Sequence, residues 1–141
     1  MAIPSVGGGY QVGDGNLAEM QLDTQIAPIA LTTSATLTAA QLSVGLLTAN
    51  QGAGGAPTYT LPTGTLMDAY FTNCKTDSSF VFSLVNISTV AAEDATIAAG
   101  TDFTVVGSMV VASNNAATDK SAGRFLARRT ATATWVLYRI C

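Results

Sequence analysis

The sequence predicts an all-β fold: a single β-sandwich of jelly-roll type, with two short helices and an extended N-terminal arm. Three observations predict it. Twenty of the 141 residues are Thr and thirteen are Gly, a mix that favours pleated strands and tight turns. Between Ser79 and Ile87, Phe80, Phe82 and Leu84 alternate with Val81, Val85 and Ile87. Both faces of that strand are apolar, so it is expected in the interior of a sandwich or barrel. Lastly, eight or nine short strand-like runs recur at intervals of about ten residues, punctuated by turn residues. No internal repeat is strong enough to define a solenoid.

The elements follow in order. Residues 1–26 form the arm and 27–141 the body. Gly7, Gly8, Gly9, Gly13 and Gly15 prevent a stable helix or central strand. Ile3, Val6, Tyr10, Val12 and Leu17 are spaced singly between them, and such side chains suit an arm that orders against another surface. Residues 26–38 are Thr-rich and read as a bent strand or strand pair. Thr38 and Gln41 have capping-box spacing, which starts a short helix over Ala39–Val44 with Gly45 as its stop. A strand covers Leu46–Ala49, and residues 51–57 make a glycine-rich loop. A strand at Thr58–Leu61 stops at Pro62. Thr63 caps a second helix, Gly64–Phe71, with Leu66, Met67 and Tyr70 on one stripe. After the Ser79–Ile87 strand, short strands are expected at 96–98, 102–106 and 109–112. Residues 113–120 form a surface loop. Ser121–Arg129 and Ala133–Ile140 form a closing hairpin, with Trp135 and Leu137 on one face and Val136, Tyr138 and Ile140 on the other.

Charge narrows the function. Charged residues are 11% of the chain, against about 25% in ordinary soluble domains. A neutral surface of Thr, Ser, Ala, Asn and Gly suits a subunit that sits against neighbours. The net charge of −3 is unevenly placed. Residues 1–118 hold eight acids and the single base Lys75, whereas residues 119–141 hold one acid and Lys120, Arg124, Arg128, Arg129 and Arg139. That basic end is either a contact face for an acidic partner or a local salt-bridge set on the hairpin. So few bases on an acidic domain argue against nucleic-acid binding. No apolar run approaches a membrane span, and the first residues lack the pattern of a secretory signal. The thiols of Cys74 and Cys141 are therefore expected to be free, although their pairing stays open. Asn86 sits in a sequon but also in a strand expected to be buried.

Chemistry is sparse. The chain has no histidine, the commonest general base and metal ligand. Cys74 thus has no histidine to activate it as a nucleophile, and two cysteines 67 positions apart do not outline a zinc site. Glu93–Asp94 is the only adjacent acidic pair. It is expected at a solvated loop tip, with calcium binding or acid–base work as the alternative. The expectation is a non-enzyme with no cofactor and no metal.

Leu37–Leu42 (LTAAQL), Thr60–Gly64 (TLPTG), Phe80–Phe82 leading to Val85–Ser88, Ala98–Thr101, Arg124–Arg128 (RFLAR) and Trp135–Arg139 (WVLYR) together resemble small virion structural proteins of tailed bacteriophages. Within that group the likeness is to capsid decoration, or cement, proteins, and it covers about Leu37 to Ile140. The resemblance implies a homotrimer on the capsid exterior, made in the bacterial host cytoplasm. Its arm would clamp neighbouring subunits of the major capsid protein and stabilise the mature head. Contact candidates are Ile3, Val6, Tyr10, Val12 and Leu17 in the arm and Arg124, Arg128 and Arg129 in the hairpin. The competing expectation is a receptor- or carbohydrate-binding β-sandwich of a tail appendage, using loop 51–57 or loop 113–120.

Overall fold

In a computed structural model the described residues are 22–52, 54–116 and 120–141. Residues 22–28 are exposed and lack regular secondary structure. The arm residues Ile3, Val6, Tyr10, Val12 and Leu17 lie outside the described residues.

The strands are β1 (Ile29–Leu31), β2 (Ala35–Thr36), β3 (Leu46–Ala49), β4 (Thr58–Thr60), β5 (Ser79–Asn86), β6 (Ala95–Ala98), β7 (Phe103–Val106), β8 (Val110–Val111), β9 (Ala122–Ala131) and β10 (Thr134–Arg139). Two helices interrupt them, α1 (Ala39–Ser43) and α2 (Gly64–Tyr70). Both start as their sequences dictate. Thr38 Oγ1 accepts from the Gln41 amide at 3.1 Å while Gln41 Oε1 accepts from the Thr38 amide at 2.9 Å, a complete capping box. Thr63 Oγ1 accepts from the Leu66 amide at 3.2 Å.

The strands form two sheets, a six-stranded one in the order β1-β3-β5-β9-β10-β7 and a four-stranded one in the order β2-β4-β6-β8. The chain visits them alternately. β1, β3 and β5 lie side by side and parallel in the first sheet, and β2, β4 and β6 do the same in the second. Each passage through both sheets is one coil of a winding. α1 and α2 make the return from the small sheet to the large one in the first two coils, and a turn at Gly100–Asp102 makes it in the third. A Cβ on Gly100 would lie 2.2 Å from the Leu61 carbonyl oxygen and 2.6 Å from that of Pro62. Only glycine lets the third corner stack on the second.

Five of the eight pairings among the described residues are parallel. The all-β expectation therefore holds, but the strand pairing is not that of a jelly roll, whose strands run antiparallel. The antiparallel pairings are β6–β8 in the small sheet and those made by β9 in the large one. The β9–β10 hairpin inserts between β5 and β7, pairing antiparallel with β5 and parallel with β7.

The two sheets share one core. Leu47, Phe82, Leu84, Phe125, Trp135 and Leu137 face it from the large sheet; Tyr59, Ile97 and Val111 face it from the small one. Phe82 stacks on Phe125 at 5.4 Å between ring centroids, and Phe103 on Trp135 at 6.3 Å. β5 lies in the interior of its sheet, as its composition predicts. Only its inward residues Phe82, Leu84 and Asn86 are fully buried, however. Val81 and Val85 are half-buried and Ile87 is 47% exposed, because no second layer covers that face among the described residues.

Candidate functional site

Two interior carboxylates sit at opposite ends of β5. The first is Asp68 on α2, at the end where the helices make their returns. Arg129 grips it with Nε at 3.0 Å and Nη2 at 2.8 Å. Trp135 Nε1 donates to it at 2.9 Å and the Ala133 amide at 2.7 Å. Ala133 turns the β9–β10 hairpin with a φ of 53°, a left-handed conformation that costs about 1–2 kcal/mol for a residue with a Cβ. Asp68 fixes that strained tip through its amide. The Arg129 hydrogen bonds, with those from Ala133 and Trp135, hold the Asp68 carboxyl well below the usual carboxylate range.

The second is Glu93, fully buried in the turn before β6. The amides of Gly52 and Gly54 donate to its two oxygens at 3.2 and 2.9 Å, and the Ser88 hydroxyl makes a short hydrogen bond to Oε2. Asn86 Nδ2 donates to the Glu93 carbonyl at 2.7 Å and to that of Val111 at 3.2 Å. Burial, and then the Glu93 carboxylate, push the Tyr59 phenol up. Glu93 is therefore not at a solvated loop tip. The glycine-rich loop folds its amides onto the carboxylate, satisfying a group that would otherwise be costly to bury. Neighbouring Asp94 accepts from the Ser113 amide at 2.9 Å, so the two carboxylates serve different partners. Asn86 is 1% exposed, in keeping with the discounted sequon.

Both cysteines are free thiols. Burial, and then Asp68, push the Cys74 thiol up, which leaves little thiolate at neutral pH. Cys74 lines a cleft of about 170 Å³ together with Phe71, Phe80, Trp135, Ser78 and Ser79. A larger apolar cleft of about 310 Å³ runs between residues 36–40 and Pro62, Leu66 and Tyr70. Among the described residues, no three His, Cys, Asp or Glu side chains are grouped to hold a metal ion, and no helix is long and apolar enough to cross a membrane.

The hairpin arginines divide. Arg129 is turned into the Asp68 lock, with its side chain 13% exposed. Arg139 reaches the carbonyls of Ser108 and Val110 and lies 5.9 Å from the Phe125 ring. Arg124 and Arg128 stand on the outer face of the large sheet, where Arg128 pairs with Asp77 across the turn. Of the three arginines singled out in the sequence, two share a surface and the third holds the fold. Missing from the sequence reading is what lies beside them. Val81, Leu126, Tyr138 and Val106 are register partners across four adjacent strands. They form one outward row from which Val106 is 47% exposed. The signal was present in the doubly apolar pattern of β5 and β10. No protein family, curated protein or solved structure matches the chain.

Proposed function

We propose that the chain is a virion structural protein, a cement subunit that binds the outside of a phage capsid and stabilises the mature head. The resemblance in the sequence brings the class of protein; one structural observation supports it. The reactive groups of the interior are committed to the scaffold. Asp68 ties α2 to the hairpin, Glu93 ties the glycine-rich loop to β5 and β6, and burial holds the Cys74 thiol protonated. Such a body is a rigid support for surfaces and for an arm. A subunit that binds only the assembled shell adds its binding free energy to that shell, and trimerisation lets three weak attachments act together. The test removes residues 1–26. The truncated chain should keep its fold, read by the fluorescence of its single Trp, and lose binding to isolated heads. Full binding without those residues overturns the arm mechanism.

A second reading, a glycan-binding module of a tail appendage, draws support from the cleft beside Phe71 and Phe80. Its rim hydroxyls, Ser78 and Ser79, are of the kind that orient a sugar. Loop 51–57 is less suited to that role than its composition suggests, since Glu93 pins it. A glycan array without hits removes this reading.

A further inference from the structure

The two sheets turn different faces outward. On the small sheet the outward row positions are Thr36, Thr60 and Ala98, then Thr58, Thr96 and Val110. Threonine-rich rows are what a solvated sheet face carries. On the large sheet the outward face is mixed, with Ser79, Ser83, Thr104, Arg124 and Arg128 among its positions, but one of its rows is wholly apolar. Val81, Leu126, Tyr138 and Val106 make that continuous row, with Ser83 and Arg124 in the row on one side and Ser79, Arg128, Val136 and Thr104 in the row on the other. No strand of either sheet contains an acidic residue. The charges on this outer face are Arg124 and Arg128, with Asp77 from the preceding turn paired to Arg128.

We infer that the outer face of the large sheet is the surface that docks on the partner, and that the partner presents an apolar patch bearing a carboxylate opposite Arg124. This rests on the cement reading and names which side of the subunit meets the shell. Charge decides the occupant. The small sheet's outer positions carry no charge, whereas the apolar row of the large sheet is flanked by the exposed Arg124, and such a row is complementary to an apolar surface with an acidic rim. The size fits a weak contact made several times over. Six strands at about 4.8 Å spacing, and about six residues at 3.3 Å rise, give a face on the order of 500 Å². That doubles to roughly 1,000 Å² when both partners are counted, the lower bound for a specific interface. Such a contact holds through multivalency.

The experiment measures binding of the full chain to expanded heads assembled without it. Val106→Glu and Arg124→Glu alter exposed positions on the face, and each should weaken binding at least tenfold. Thr58→Glu, on the outer face of the small sheet, should bind within twofold of the unaltered chain. Trp fluorescence and melting confirm that all three fold. If both face variants bind as the unaltered chain does, the inference is overturned while the cement reading stands. If the unaltered chain does not bind heads, the cement reading fails and the inference with it. A fall in solution mass with Val106→Glu, by light scattering, assigns the face to a second copy and overturns the partner. A change in the Val106 and Leu126 methyl resonances on removing residues 1–21 assigns it to the chain's own N-terminus and likewise overturns it.

Discussion

The helix end and the loop end of the molecule are each closed by one interior carboxylate, and they are closed differently. Asp68 is held by a guanidinium, an indole N–H and one amide. Glu93 is held by two glycine amides and a serine hydroxyl. The difference follows from what each end must join. At the helix end three separate elements converge, α2, the end of β9 and the start of β10, and an arginine fork spans the gap with fixed geometry. At the loop end a glycine-rich stretch is tied to the body. A carboxylate that accepts the Gly52 and Gly54 amides does this without any demand on the loop's own side chains, because glycine lets the backbone approach.

The largest expected effect breaks the helix end. Asp68→Ala strands the Arg129 guanidinium, the Trp135 indole N–H and the Ala133 amide together. Leaving a buried donor without its acceptor costs about 1–3 kcal/mol, and the Trp135 indole and the Ala133 amide both lose theirs, so urea unfolding should show a loss of about 3 kcal/mol. A loss under about 1 kcal/mol would mean that the arginine finds water and that the lock is decorative. Glu93→Gln is the milder counterpart. It keeps the shape but turns one acceptor into a donor facing the Gly52 or Gly54 amide, at about 1–3 kcal/mol. Its sharper signature is local: amide exchange at Gly52 and Gly54 should quicken while the amides of β9 and β10 keep their protection. Uniform quickening across the body would show that the two ends are not independently built.

Much of this fold was legible in single stretches. The capping box at Thr38 and Gln41, the Thr63 cap, the Leu46–Ala49 strand and the closing hairpin all stand where local chemistry puts them. Pairing was not legible, and the reason is metric. In the large sheet Ile29 lies beside Leu47 and Leu47 beside Leu84. The steps are 18 and 37 residues because the second coil carries the glycine-rich loop and the longer helix. In the small sheet Ala35, Tyr59 and Ile97 are neighbours at steps of 24 and 38. A winding with unequal turns leaves no fixed period to detect. The candidate surface was half legible. The apolar alternates of β5 and β10 are plain in the sequence, but by themselves they predict burial under another layer, and among the described residues none covers them. Glu93 gave no warning, since its burial depends on a loop 41 residues upstream.

Acid sharpens the comparison further. The Asp68 carboxyl titrates lower in the folded chain than its ordinary value of 3.8. Its contribution is therefore fully present above that value and is lost as pH falls below about 4, toward the depressed folded value. Asp68→Asn should flatten this part of the acid limb while leaving the stability profile between pH 5 and 7 parallel to that of the unaltered chain. Midpoints of urea unfolding at steps of half a pH unit give the comparison directly. An acid limb equally steep in the variant would place the titrating group elsewhere.

The smallest expected effect is an absence of coupling. β5 separates the two carboxylates by most of its eight residues, about 25 Å at a strand's rise, with Arg129, Ala133 and Trp135 donating to Asp68 at one end and Gly52, Gly54 and Ser88 to Glu93 at the other. Sites so placed add within about 0.5 kcal/mol. The double variant Asp68→Asn with Glu93→Gln should therefore lose the sum of the single losses. A coupling above about 1 kcal/mol, measured by a double-mutant cycle in urea, would require β5 to carry strain from one end to the other. It would make the body a single cooperative strut in place of two ends locked separately.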